Sequence, residues 1–132
     1  MTTVPTHLFV YGTLQPRREA WGELAPFVAD AGHPATVVGI LYDTGQGYPA
    51  AEFGRGPDAG IVHGNIVQLT PHGREHGLTH LDRYEGPGYR RIVVEASTSD
   101  ATHRAYTYEW IGPRRSLRRI DDGVWPDNDR RG

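Results

Sequence analysis

The sequence predicts an α+β fold: five or six short strands in a twisted or partly closed sheet, with two short helices against it. Three observations lead there. The 17 glycines and 10 prolines are spread as punctuation over all 132 residues rather than gathered in a linker, which implies many short elements. Runs of β-branched and aromatic residues of strand length recur between those breaks. Regular alternation of strands and helices is missing, which argues against a doubly wound nucleotide-binding fold.

The first strand is expected from His7 to Tyr11, ended by Gly12. Residues 17–31 read as a short helix, with Trp21, Leu24, Phe27 and Val28 at helical spacing and Pro26 breaking it or splitting it into two turns. ATVVGILYD (35–43) is a strand bounded by glycine and proline. A turn-rich stretch follows, with one brief strand around Ala50–Phe53. IVHGNIVQL (61–69), YRRIVVEAS (89–97) and HRAYTYEWI (103–111) are further strands. PHGREHGLTHLDRYEG (71–86) reads as a helix, although Gly73 and Gly77 each cost up to ~1 kcal/mol against alanine in a helix interior. The closing PDNDRRG is a polar, frayed tail. The length suits one domain spanning 1–132, with its core over about 7–126.

Composition narrows the chemistry. All 14 basic residues are arginine, so a lysine Schiff base or P-loop lysine is excluded. With no cysteine there is no thiolate nucleophile, cysteine-based metal site or disulfide. A net charge of −2 provides no bulk attraction to nucleic acid or an anionic membrane. No apolar run approaches the ~18 residues that cross a bilayer. The N-terminus lacks a secretory signal, so the expected location is cytoplasmic. Carboxylate, hydroxyl, imidazole and backbone groups are left to do the work.

Two segments can carry it. In LFVYGTL (8–14), a strand runs into Gly12, where a sharp turn lets successive peptide N–H groups converge on an anion. The hydroxyl of Thr13 adds a donor, and a helix starting soon afterwards adds its dipole. An ordinary strand–turn is the alternative. In LTHLDRYEGPGYRR (78–91), Leu78, Leu81 and Glu85 fall within ~60° on a helical wheel, which places Glu85 on the apolar face. Desolvation there raises a carboxyl pKa and suits it to general acid–base work. The alternative is that Glu85 ends the helix and reaches solvent, or pairs with Arg90 or Arg91. Asp82 can form a carboxylate pair with Glu85 but projects further outward.

His72, His76 and His80 form an i, i+4, i+8 stripe opposite the apolar patch. Without an HExxH glutamate, and with two glycines softening the helix, a solvated face is expected there and no metal. Tyr11, Tyr48, Tyr84, Tyr89, Tyr106 and Tyr108 suit either a polar pocket lining or a strand core. Arg114, Arg115, Arg118 and Arg119, followed by Asp121 and Asp122, read as a salt-bridged surface rather than a nucleic-acid contact.

LFVYGTL, GILYDTGQGYPA, IVHGNIVQL, LDRYEGPGYRRIVV, AYTYEW and RIDDGVWP, in this order over roughly 7–126, resemble the γ-glutamylcyclotransferase-like (AIG2-like) family. The resemblance implies a small mixed β-barrel of about five to six strands with short helices packed around it and a cavity at one mouth. It implies release of a γ-glutamyl group as 5-oxoproline, with Glu85 as the catalytic carboxylate and Tyr11, Gly12, Thr13 and Leu14 holding the glutamyl head. Tyr108 matches the family's cavity tyrosine, and Tyr48 and Tyr89 are weaker matches. No cofactor and no metal are implied. The implied partner is a small-molecule γ-glutamyl substrate, in a narrower version a biosynthetic or carrier-bound intermediate. The chain is expected to be a monomer or homodimer, with no nucleic-acid or membrane partner. The alternative reading is a non-catalytic binding or regulatory domain that keeps the pocket.

Overall fold

A computed structural model describes residues 4–126. The frayed tail expected after Pro126 lies outside the described residues. The chain runs β1 (His7–Val10), α1 (Trp21–Leu24), a 3₁₀ turn (Ala25–Phe27), β2 (His33–Asp43), β3 (Pro49–Phe53) and β4 (Gly60–Gln68). It continues with a π-helical turn (Gly73–Gly77), α2 (Leu78–Glu85), β5 (Tyr89–Ser97), β6 (Thr102–Trp110) and β7 (Arg118–Arg119). Among the described residues, no helix is long and apolar enough to cross a membrane.

The strands pair in the order β3-β2-β4-β1-β6-β5, and a further pairing of β2 with β5 through Thr36 and Ser97 closes the ring. Five strands (β2, β4, β1, β6, β5) thus form a barrel, which removes the exposed edges of an open sheet. Its pairings are antiparallel except β1 with β6, which is parallel with Leu8 opposite Tyr106. The mixed barrel implied by the resemblance is therefore present. β2 is long enough to serve twice. His33–Gly39 pairs with β4, and Gly39–Asp43 leaves the barrel to pair with β3. β7, absent from the sequence expectation, adds two residues of the arginine-rich segment to Tyr42 and Asp43.

Side-chain alternation divides the core into two layers. Phe9 and Tyr11 point into the barrel with Val37, Val62, Ile66 and the fully buried Trp125. Leu8 and Val10 face the helices with Leu14, Leu24, Leu78, Leu81 and Tyr108. β1 is covered on both faces, which is why LFVYGTL reads as a nearly continuous apolar run. Arg18 closes the far end of the chain, donating to the carbonyls of Trp125 (2.9 Å) and Pro126 (2.8 Å).

Both helical segments form, with local detail set by Pro26 and by packing on Phe27. The helix expected over 17–31 is one α-turn at 21–24 and a 3₁₀ turn at 25–27, because Pro26 interrupts the hydrogen-bond ladder. Val28 is extended there and bridges to Leu69. The helix expected over 71–86 is continuous over 71–85, with residues 73–77 wound as a π-turn inside it. Its glycines answer to packing. A Cβ on Gly73 would lie 2.1 Å from the Phe27 carbonyl oxygen, and one on Gly77 would lie 2.6 Å from the Phe27 ring.

Candidate active site

The parallel pairing of β1 and β6 places the C-terminal ends of both strands on one barrel rim. Tyr11 leaves β1 there and donates its hydroxyl to the Tyr108 carbonyl at 2.6 Å. Antiparallel β5 starts on the same rim, opposite Trp110, and α2 ends just before it. Gly86 sits at φ +79, a left-handed conformation that lets the chain turn from Glu85 into Pro87-Gly88-Tyr89. The hairpin between β2 and β3 brings in Tyr48 and Pro49.

A cavity of about 810 Å³ opens at this rim. Tyr11, Gly12, Thr13, Leu14, Tyr48, Glu85, Tyr89 and Tyr108 all line it, so the two segments singled out in the sequence meet in one space. Tyr84 also lines it, and Tyr106 does not, lying instead beneath the Arg91 guanidinium at 4.7 Å. The sequence reading missed the wall formed by Glu19, Ala20, Gly22 and Glu23 and the contribution of Trp110. Nothing in the local pattern of 19–23 marks it as a cavity wall; it becomes one only because Leu24 anchors this turn against the outer core.

The 12–15 turn is built around Gly12. The Gly12 carbonyl accepts from the Gln15 backbone (3.1 Å) and from Gln15 Nε2 (3.2 Å), while Asn65 Nδ2 donates to Gln15 Oε1 at 2.8 Å. Gly12 makes this turn without a left-handed conformation. Glycine is required because a Cβ would lie 2.6 Å from Pro49 Cγ. Thr13 is hydrogen-bonded to Tyr84, so its side chain braces the rim. The backbone N–H groups of Gly12, Thr13 and Leu14 meet no protein acceptor among the described residues. Buried amides are normally paired, so three free donors at a cavity form a site for an acceptor ligand. The expected helix dipole adds little, since α1 has four residues and begins only at Trp21.

Glu85 is the last residue of α2 and is partly buried. Neither arginine weighed as its partner reaches it: Arg90 pairs with Glu109 (3.0 Å) and Arg91 with Asp82 (3.0 Å). Among the described residues, no cationic side chain lines the cavity. Burial therefore raises the Glu85 pKa from 4.5 to about 7. The carboxylate pair suggested for Asp82 does not form. Asp82 instead accepts the Tyr108 hydroxyl at 2.6 Å on its way to Arg91. Tyr89 donates to the Pro49 carbonyl. Burial drives the Tyr11, Tyr89 and Tyr108 pKa values far up, reinforced at Tyr108 chiefly by the hydrogen bond to Asp82 and its charge, so all three remain neutral phenols.

The histidine stripe is exposed. His72 and His76 lie 4.9 Å apart by ring centroid, His80 pairs with Glu23 at 2.7 Å, and no cluster that could hold a metal occurs among the described residues.

Residues 8–127 match the family model described as gamma-glutamyl cyclotransferase, AIG2-like. No curated protein matches the sequence. Among solved structures, the chain is similar to YkqA from Bacillus subtilis (TM-score 0.71, 24% identity), covering 92% of this chain and 40% of that one. The protein therefore spans well under half of YkqA. It is also similar to the uncharacterized protein PH0828 from Pyrococcus horikoshii (TM-score 0.66, 21% identity, 91% and 89% covered). An AIG2-like protein from Mus musculus matches with TM-score 0.66 and 17% identity over 86% and 82% of the two chains.

Proposed function

We propose, for a chain that belongs to the AIG2-like gamma-glutamyl cyclotransferase family, that it converts a γ-glutamyl amine or amide to 5-oxoproline and the free amine, with Glu85 as general acid and base. The observation that carries this reading is a partly buried carboxyl with a pKa of about 7 in the same cavity as three unpaired backbone donors. The chemistry follows from that pairing. Glu85 takes a proton from the substrate's α-ammonium, which frees the amine as a nucleophile. The amine attacks the γ-carbonyl carbon of the same molecule, and the oxyanion that forms is met by the N–H groups of residues 12–14. Glu85 returns its proton to the nitrogen of the scissile bond, and that bond breaks. The ring nitrogen passes its second proton to Glu85, now ionised again, which hands it to the amine, and the amine departs as an ammonium ion.

Because nucleophile and electrophile belong to one molecule, the cavity's task is to select the folded conformer. Well-oriented intramolecular reactions gain ~7–11 kcal/mol in this way. A glutamyl head fills only part of 810 Å³, leaving room for a sizeable leaving group.

The test is a panel of γ-glutamyl amines and γ-glutamyl peptides, scored by 5-oxoproline release. Turnover of at least one member is expected, with Glu85→Gln slower by about 10²–10⁴-fold. Thermal stabilisation by these compounds without any product would instead support a binding domain.

A further inference from the structure

Four tyrosines line the cavity with their hydroxyl protons already committed inside the protein. Tyr11 donates to the Tyr108 carbonyl, Tyr89 to the Pro49 carbonyl, Tyr108 to Asp82 Oδ1 and Tyr48 to Gln46 Oε1. A phenol has one proton, so each of these oxygens can only accept from a ligand. With Glu85 in the same lining, the aromatic wall is a set of acceptors, and the free donors of the 12–14 turn line the same cavity. A ligand with a cationic donor at one end and an acceptor at the other has one orientation in such a space.

Tyr108 differs from the other three in its acceptor. Tyr11 and Tyr89 bond to neutral carbonyls and Tyr48 to an exposed glutamine amide, whereas Tyr108 bonds to a carboxylate. That carboxylate is also held by Arg91, whose Nε donates to the same Oδ1 at 3.0 Å and whose second guanidinium nitrogen donates to Oδ2 at 3.3 Å. A charge-assisted bond of this kind polarises the phenol, concentrating negative charge on its oxygen and preventing rotation of the proton toward the ligand. Asp82 lies one turn before Glu85 on α2, so one helix sets both the base and the phenol.

We propose that Tyr108, fixed as an acceptor by Asp82, forms the subsite for the α-ammonium of the γ-glutamyl head and delivers it to Glu85. Asp82 is then a positioning residue that acts through Tyr108 without touching substrate. This rests on the γ-glutamyl reading above and adds the residue pair that recognises the amine.

The experiment measures binding, with 5-oxoproline release from L-glutamine followed in parallel so that only unreacted ligand is scored. L-glutamine and glutaramate (the monoamide of glutaric acid) share the carboxylate and the γ-amide and differ in the α-ammonium. Their dissociation constants are measured by calorimetry for the wild-type protein, Asp82→Ala and Tyr108→Phe. The wild type is expected to prefer L-glutamine by about ten-fold or more, the scale of one hydrogen bond to a charged group. Both variants should reduce that preference to within about threefold while binding glutaramate as the wild type does. Unchanged glutaramate affinity also shows that the variants are folded. A preference kept intact in both variants would overturn the proposal and assign the ammonium to Glu85 alone. Equal weakening of both ligands would overturn it too, reducing Asp82 to a structural role. If the wild type binds both ligands equally, the subsite is wrong while the γ-glutamyl reading stands. If it binds neither, the γ-glutamyl reading itself fails.

Discussion

Replacing Glu85 by glutamine should stabilise the folded protein at pH 8 and leave it nearly unchanged at pH 4. A carboxyl with a pKa of 4.5 in the unfolded chain and about 7 in the cavity binds its proton more tightly when folded. Between these two values the folded state holds more protons than the unfolded state, so stability falls as pH rises. Below pH 4.5 the group is protonated in both states and costs nothing; above pH 7 it is ionised in both and the full penalty applies. At 1.36 kcal/mol per pKa unit the penalty has a ceiling of about 3 kcal/mol, and partial exposure to solvent lowers it to roughly 1–3 kcal/mol. Glutamine keeps the shape and has no charge to desolvate. For a protein of this size, 1 kcal/mol is worth roughly 3–4 °C in Tm, so the variant should melt about 3–12 °C above wild type at pH 8 and within about 2 °C at pH 4. Scanning calorimetry of both proteins across this range removes every contribution they share. A difference in Tm that does not change with pH would refute the desolvated carboxyl. A wild type that gains on the variant as pH rises would mean that Glu85 has a cationic partner.

The same group predicts that kcat/KM rises with pH to a plateau above about 7, because the base form must be ionised; a profile flat from pH 5 to 8 would remove Glu85 as the base. Gly77→Ala should destabilise by about 1–3 kcal/mol in urea melts even though alanine is the better helix former, since its Cβ would meet the Phe27 ring at 2.6 Å. A stabilised variant would show that the π-turn has slack. Gly12→Ala should push the Pro49 loop outward and raise KM about ten-fold or more with a smaller change in kcat, and an unchanged KM would separate the 12–14 amides from binding.

The strands and the site segments were legible for different reasons. β5 was readable to the residue at Tyr89–Ser97, because a β-branched run bounded by turn residues is a local signal. The shared face of Leu78, Leu81 and Glu85 was readable because helical periodicity is local too. The helix over 71–86 was readable, but the π-turn inside it was not, because that turn answers to Phe27, a residue more than forty positions away in the chain. Gly12 was named for the turn it opens, but the close approach of Pro49, which also requires glycine there, left no local signal. β7 left no signal, since two arginines form a strand only if β2 offers them an edge.

The sequence by itself determined the list of usable chemistry, the element order and the two segments worth watching. Absent cysteine and lysine, spacing and local propensity all survive without a fold. The tertiary structure alone decided that these segments share a cavity, through the parallel pairing of β1 with β6 and the start of β5 on the same rim. It also decided the character of the groups placed there. A pKa is set by the loss of water and by which cations come near, and Arg90 and Arg91 went to Glu109 and Asp82 instead of Glu85. Whether a phenol donates or accepts is likewise set by its neighbours, and Asp82 takes the proton of Tyr108 only because closure of the barrel brings β6 against α2. Those are relations between distant parts of the chain, and no local pattern of residues encodes them.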